Sequence, residues 1–288
     1  MKRQALIPAY IELTKPRILG LVLVTTTLGY YLGGQGIKAW GGFLYLLLGT
    51  ACVCAGSGAL NQYLEREFDA RMLRTRNRPI PAGVIAPWHA LNFGIFLALF
   101  GIGILYVKAN ILTAFLSLLS AFLYIMIYTP MKRVSWLNTT MGAFAGAMPP
   151  LGGWAAATGT LNFSAGILFL ILFLWQHPHA YAISWIWKDD YKRAGFQMLS
   201  VMCPDGQRLF EQIASFSLML VAVSLLPAIA GISGGFYSFG AFMIGMALWM
   251  IGKKFACTQS MEDARNLLKA TVVYLPLLLV FIVMDRIL

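Results

Sequence analysis

Apolar residues run along this chain in unbroken blocks, not in the alternation of a half-buried strand or the one-sided stripe of a surface helix. Blocks of ~20 residues are long enough to carry a helix across the ~30 Å hydrocarbon core of a bilayer. Nine such spans are expected, near 18–34, 43–64, 88–107, 110–128, 136–157, 163–186, 209–230, 236–252 and 271–287. The expected fold is therefore all-α: a polytopic membrane protein whose nine transmembrane helices form a bundle around a central cavity facing the cytoplasm. Residues 1–288 read as one integral-membrane domain, two pseudo-repeated four-helix halves followed by a ninth helix.

Composition narrows the picture further. The chain is 59% hydrophobic and 11% charged, against about a quarter charged in soluble domains, and the spans leave no room for a soluble domain. The N-terminal MKRQALIPAYIELTKPR lacks the short apolar core and small-residue cleavage site of a signal peptide, and Thr14 before Pro16 reads as a helix start.

The net charge of +11 belongs to the membrane rather than to a nucleic acid, because of where the charge lies. With the N-terminal side taken as inward, 19 of the 22 lysines and arginines fall on inward segments, Lys2 and Arg3 among them; Lys38, Lys108 and Arg286 remain outside. This asymmetry places the N-terminus in the cytoplasm and the C-terminus outside; the expected location is the cell inner membrane. Lys253, Lys254, Arg265 and Lys269 read as part of that topology signal. Cys52 and Cys54 point in different directions on one helix, and Cys203 and Cys257 lie on the reducing side; none is given a role.

Ten of the eleven carboxylates also lie inward, Asp285 being the exception, and they concentrate after the second and sixth spans. The second span, FLYLLLGTACVCAGSGAL (43–60), passes straight into NQYLEREFDARMLRTRNRP (61–79). Asn61, Glu65 and Asp69 are spaced four apart, so they share one helix face over about 12 Å. The small residues just before them, Gly56, Ser57, Gly58 and Ala59, permit close helix approach and turn that face towards the bundle interior. One amide and two carboxylates are hard oxygen ligands of the kind Mg²⁺ accepts alongside water and phosphate. Arg74 and Arg78 follow in the same loop, and guanidinium groups match phosphate oxygens. After the sixth span, Asp189 and Asp190 stand beside Lys188, Lys192 and Arg193, and Lys132 and Arg133 reach the same membrane face after the fourth. Two acidic clusters facing each other would hold two or more Mg²⁺ ions on one diphosphate. Acids and bases at helix ends also simply solvate loops; both clusters sharing one membrane face favours the chemical reading.

Of the three histidines, His89 lies at an interface, whereas His177 and His179 flank Pro178 within the sixth span. Proline releases a helix carbonyl, which a histidine can satisfy; alternatively, the imidazoles serve a ligand. His179 precedes Asp190 by eleven residues, which puts both on one face about 16 Å apart. Met148-Pro149-Pro150 is expected to break the fifth span, and Trp175, Tyr181, Trp185 and Trp187 suit either a flat ligand or an interfacial belt.

Asn-x-x-x-Glu-x-x-x-Asp followed by Arg-Thr-x-x-Arg-Pro after the second span resembles the UbiA-type intramembrane prenyltransferases. LTKPRI (13–18), YTPMKR (128–133) with Asn138 beyond it, GAMPPLGGW (146–154) and WQHPHAYAISWIWKDDYKRAGFQML (175–199) are similar to the branch of that superfamily that farnesylates protohaem IX. The likeness covers residues 12 to 205; the last three spans match only as apolar segments. It implies transfer of a farnesyl group from farnesyl diphosphate to a vinyl group of haem B, with water addition, giving haem O for haem–copper oxidases, Mg²⁺ being the cofactor. It also implies Asn61, Glu65 and Asp69 as the first metal site and Asp189 and Asp190 as the second. Arg74, Arg78, Lys132, Arg133 and Lys188 would hold the diphosphate, with His179, or His177, near the haem. Expected partners are the lipid bilayer and a downstream haem-modifying enzyme or oxidase, and no nucleic acid. Glu65 departs from the superfamily's usual aspartate, and the adjacent pair Asp189–Asp190 from its spaced pair. The alternatives are a UbiA-type enzyme acting on an aromatic quinone precursor and, more remotely, a secondary transporter.

Overall fold

The computed structural model describes residues 6–287, without the side chains of residues 286 and 287. Lys2, Arg3 and the Arg286 side chain, counted in the charge asymmetry above, lie outside what is described. Every regular element among the described residues is helical. The chain runs α1 (Leu6–Leu13), α2 (Pro16–Gly34), α3 (Trp40–Asp69), α4 (Pro87–Lys108), α5 (Ile111–Met131), α6 (Asn138–Thr158), α7 (Phe163–Ile186), α8 (Lys188–Ala194), α9 (Gln207–Ser224), α10 (Gly235–Thr258) and α11 (Met261–Ile287). Among the described residues, seven stretches are long and apolar enough to cross a membrane: Trp40–Asp69, Pro87–Lys108, Ile111–Met131, Phe163–Ile186, Gln207–Ile229, Gly235–Thr258 and Met261–Asp285.

Helix starts follow local chemistry. Prolines open α2 and α4, where the missing N–H costs nothing. Asn110 and Asn162 cap α5 and α7, their side-chain oxygens accepting from the N–H of Thr113 and Ala165. α11 begins ten residues before its apolar stretch because Ser260 Oγ accepts from the Asp263 N–H and donates to the Asp263 carboxylate. That reciprocal cap starts a polar turn which hydropathy alone does not register.

The chain divides into two compact units. One ends at Leu161 and takes in Lys192–Phe196; the other comprises Asn162–Tyr191 and the chain from Gln197 on. Within the first, α3 packs on α4, while α2 and α5 pack on α6. α2 and α6 have the lengths of spans, 19 and 21 residues, but threonines, tyrosines and glycines dilute their apolar character. The same composition permits close contact: a Cβ at Gly29 would lie 2.0 Å from the Pro150 carbonyl oxygen, and one at Gly153 equally close to that of Thr26. In the second unit α9 packs on α7 and α10, and α11 on α7 and α10.

One expectation about α6 is corrected. The helix runs unbroken through Pro149 and Pro150. Proline at 149 cannot donate to the Ala145 carbonyl, and the Ser120 hydroxyl on α5 donates to it instead at 2.9 Å, so the polar group is satisfied without a break. α7 likewise continues through Pro178.

Candidate active site

α3 runs five residues past the end of its expected span, which keeps Asn61, Glu65 and Asp69 on one helical face. All three are buried, at 1%, 3% and 0% exposure. A buried carboxylate persists as an ion only when paired; Glu65 and Asp69 each have a cation from another segment, and the Asn61 amide accepts from a third. Lys15 Nζ donates to Asn61 Oδ1 at 2.5 Å, Lys132 Nζ to Glu65 Oε1 at 2.7 Å, and Arg78 Nη1 to Asp69 Oδ2 at 2.7 Å. The result is a ladder of three polar rungs at the end of an apolar helix.

Separate local devices aim each cation. Lys15 joins α1 to α2 in a left-handed conformation, φ 53°, which is strained for a residue with a Cβ. Gln62 Nε2 donates to the Glu12 carbonyl, and Leu13 packs with Ala9, Ala59, Ile80 and Ile85, so the end of α1 is held where Lys15 must emerge. The loop after α3 is a run of tight turns: Thr75 Oγ1 donates to the Asp69 carbonyl, and buried Met72, Ile80 and Ile85 anchor it, which returns Arg78 to Asp69. The third device is a π-helical stretch in α5, Leu123–Tyr128; such bulges are frequent at functional sites. It leads into Thr129, whose hydroxyl donates to the Tyr124 carbonyl and accepts from Asn61 Nδ2 at 2.9 Å. That fixes the amide with Oδ1 towards Lys15, whose ammonium also donates to the Tyr124 hydroxyl.

Two ammonium groups feel this setting in opposite ways. Burial, helped by Arg78 and opposed by Glu65, brings Lys15 down to about 7. Burial works against protonated Lys132 as well, but the Glu65 carboxylate outweighs it and holds that group above the usual lysine range.

Other expected site residues are placed as follows. Arg74 is exposed on the loop after α3. Arg133 donates to the Leu64 carbonyl and lies 4.1 Å over the Phe68 ring. In the second unit, Lys188 donates to the Pro204 carbonyl and lies over the Trp185 ring. Asp190 is 4% exposed, whereas Asp189 is exposed. His177 is fully buried, stacked 3.7 Å from Phe216, and its Nδ1 donates to the Phe173 carbonyl at 2.8 Å. His179 is half-buried, stacked on Trp175, with Nδ1 2.9 Å from Thr271 Oγ1.

Among the described residues no three histidines, cysteines or carboxylates cluster as a metal cage. The donor set of α3 nevertheless fits Mg²⁺, which takes one or two carboxylates and completes its shell with water and substrate phosphate. Buried Asp69 Oδ1 has no hydrogen-bond partner, so one hard oxygen of the set is uncommitted. Sequence reading alone did not single out Lys15, Tyr124 or Thr129 as site residues. The signals for them were the lysine ahead of a proline-started helix in LTKPRI and the threonine of YTPMKR.

This combination of a helical membrane bundle with hard oxygen ligands and interleaved cations defines a class. A family model described as UbiA prenyltransferase family matches residues 22–275, and the chain belongs to that family of membrane-bound enzymes. Within it, the chain is similar to proteins named protoheme IX farnesyltransferase. The one from Solibacter usitatus is 42% identical, over 96% of this chain and 98% of its own length, and the one from Koribacter versatilis 38% identical, over 98% and 94%. Two solved structures share the fold. A digeranylgeranylglyceryl phosphate synthase has a TM-score of 0.82 at 18% identity, covering 98% of this chain and 99% of its own. A UbiA homolog from Archaeoglobus fulgidus bound to DMAPP and Mg²⁺ has a TM-score of 0.74 at 15% identity, covering 96% and 98%.

Proposed function

We propose that this chain transfers the farnesyl group of farnesyl diphosphate to a vinyl group of haem B, with addition of water, giving haem O. The observation that carries the reading is the three-rung ladder of Asn61, Glu65 and Asp69 with Lys15, Lys132 and Arg78. It supplies oxygen ligands and phosphate-binding cations side by side, and the curated relatives bear the name of that activity.

Bound Mg²⁺ would neutralise diphosphate oxygens and make the diphosphate a better leaving group. Lys15, Lys132 and Arg78 hold the remaining phosphate charge as the allylic C–O bond breaks and the electron pair leaves with the diphosphate. A haem vinyl carbon then bonds to the farnesyl C1, the cation so formed takes up water, and a proton is lost. No covalent enzyme intermediate is needed.

Asp189 and Asp190 are the proposed second pair of metal ligands; burial favours Asp190 as the one that binds. Arg74, Arg133 and Lys188 are secondary phosphate contacts in this reading. Between the histidines, burial favours His179 as the haem contact, since it is half-buried where His177 is fully buried. The Thr271 hydroxyl donates to the Leu268 carbonyl, so it accepts from His179 Nδ1–H, and Nε2 keeps its lone pair for a ligand. His177 has its Nδ1–H on a backbone carbonyl and its ring stacked in the core. We also read α2 and α6 as crossing the membrane, which gives nine spans and puts the N-terminus and the α3 site on the cytoplasmic side of the inner membrane. The whole chain then forms one catalytic domain of two related halves.

The deciding experiment supplies membranes containing the protein with haem B, farnesyl diphosphate and Mg²⁺ and records mass spectra of the extracted haems. The expected product is haem heavier by one farnesyl group plus one hydroxyl, absent without Mg²⁺. Unchanged haem from folded protein would refute the acceptor. His179→Ala should weaken haem use more than farnesyl diphosphate binding; equal loss of both would make the histidine structural.

A further inference from the structure

At the far end of α2 from Lys15 lies a cavity with a volume of about 390 Å³, lined by Tyr30, Lys38, Ala39, Gly42, Lys108 and Ala156 among others. α2 spans 19 residues between the two places, a separation of about 28 Å. We propose that this cavity binds a phosphate group, carried either by a lipid headgroup or as the free anion, and that it is separate from the transferase site.

Charge comes first. Both lysines of this end of the bundle face the same cavity, and among the described residues neither has an ion-pair partner. The sequence holds no carboxylate between Glu12 and Glu65 or between Asp69 and Asp189, and the acids of α3 lie in its last turns, at the opposite end from the cavity. The backbone adds to the same sign. Ala39 both lines the cavity and precedes the 30-residue helix α3, and it has no side-chain oxygen to cap the first turn. The N–H groups at that end are therefore left for another acceptor, and the helix dipole favours an anion there. Shape agrees: the chain turns through positive φ at Gln35 and Gly36, 52° and 112°, and a Cβ at Gly36 or Gly42 would meet nothing within 4 Å, so these glycines leave the cavity open. The volume lies in the usual ~300–1,000 Å³ range of small-ligand sites.

The rim points to a lipid as the carrier. Trp40 and Tyr106 are 63% and 61% exposed at the start of α3 and the end of α4, and the Lys108 ammonium lies 5.3 Å from the centre of the Tyr45 ring. Aromatic side chains with lysines among them mark the headgroup level of a bilayer.

The test uses the full-length protein purified in detergent and native mass spectrometry with three probes: phosphatidylglycerol, phosphatidylcholine and inorganic phosphate. The wild type should retain phosphatidylglycerol over phosphatidylcholine. Lys38→Ala with Lys108→Ala should weaken that retention about thirtyfold, while farnesyl transfer in detergent stays unchanged. Gly42→Leu keeps both charges, fills the open space and should lose the lipid equally, which separates a built site from general attraction to a basic surface. Displacement of the lipid by an equal concentration of inorganic phosphate would support the phosphate site and assign it to the free anion. Equal retention of the two lipids by the wild type, or undiminished phosphatidylglycerol in both variants, would overturn the proposal.

Discussion

Removing a charge from the α3 ladder has two separable effects, one on the chemistry and one on the fold. Asp69→Ala takes away a proposed metal ligand and should abolish turnover in protein that still folds in the membrane; wild-type turnover in that variant would end the metal assignment. Lys132→Met leaves Glu65 buried without its partner, and an uncompensated buried charge costs roughly 3–5 kcal/mol. The double variant Lys132→Met with Glu65→Gln should recover most of that stability in a denaturation titration and yet stay inactive. Stability restored together with activity would mean that the pair is structural only.

Packing decides what happens one level up. Gly29 and Gly153 set the distance between α2 and α6, and a methyl at Gly29 would collide with the Pro150 carbonyl. Gly29→Ala should cost about 1–3 kcal/mol, as overpacking does elsewhere, with a matching fall in melting temperature; an unchanged melt would show that the two helices part freely. These helices also show what the sequence conveyed and what it did not. Block length and composition announced nearly every helix, and four-residue spacing announced Asn61, Glu65 and Asp69, since both depend on local geometry. The passage of α6 through Pro149 and Pro150 depends on a hydroxyl from Ser120, 29 residues away, and the role of Lys15 depends on contacts with Asn61, 46 residues away. Neither periodicity nor propensity reports a contact at such separation. The early start of α11 was local, but its signal was the Ser260–Asp263 cap and not an apolar residue.

For the molecule as a whole, the sorting of charge is a statement about insertion. Lysines and arginines gathered on alternate connections orient each span during assembly, and the proposed topology puts the C-terminus outside the cytoplasm. A reporter enzyme active only after export should be active when fused after Leu288 and silent when fused within the loop after α3. The reverse pattern would invert the topology and move the α3 site to the other side of the membrane.

The rungs on α3 also bear on the order in which ligands arrive. With Lys15, Lys132 and Arg78 already on Asn61, Glu65 and Asp69, an incoming divalent cation meets oxygens that already accept from cationic side chains. A diphosphate offers those three side chains a different anion and frees the oxygens behind them. Metal and prenyl diphosphate should therefore bind synergistically, each raising the other's affinity by the same factor, as linkage requires. In calorimetric titrations Mg²⁺ alone should bind weakly, and it should bind much more tightly with a non-hydrolysable diphosphate present. Equal Mg²⁺ affinity in both titrations would show the two sites to be energetically independent. If the coupling holds, the resting enzyme carries its own counter-ions, and its substrate is what releases them.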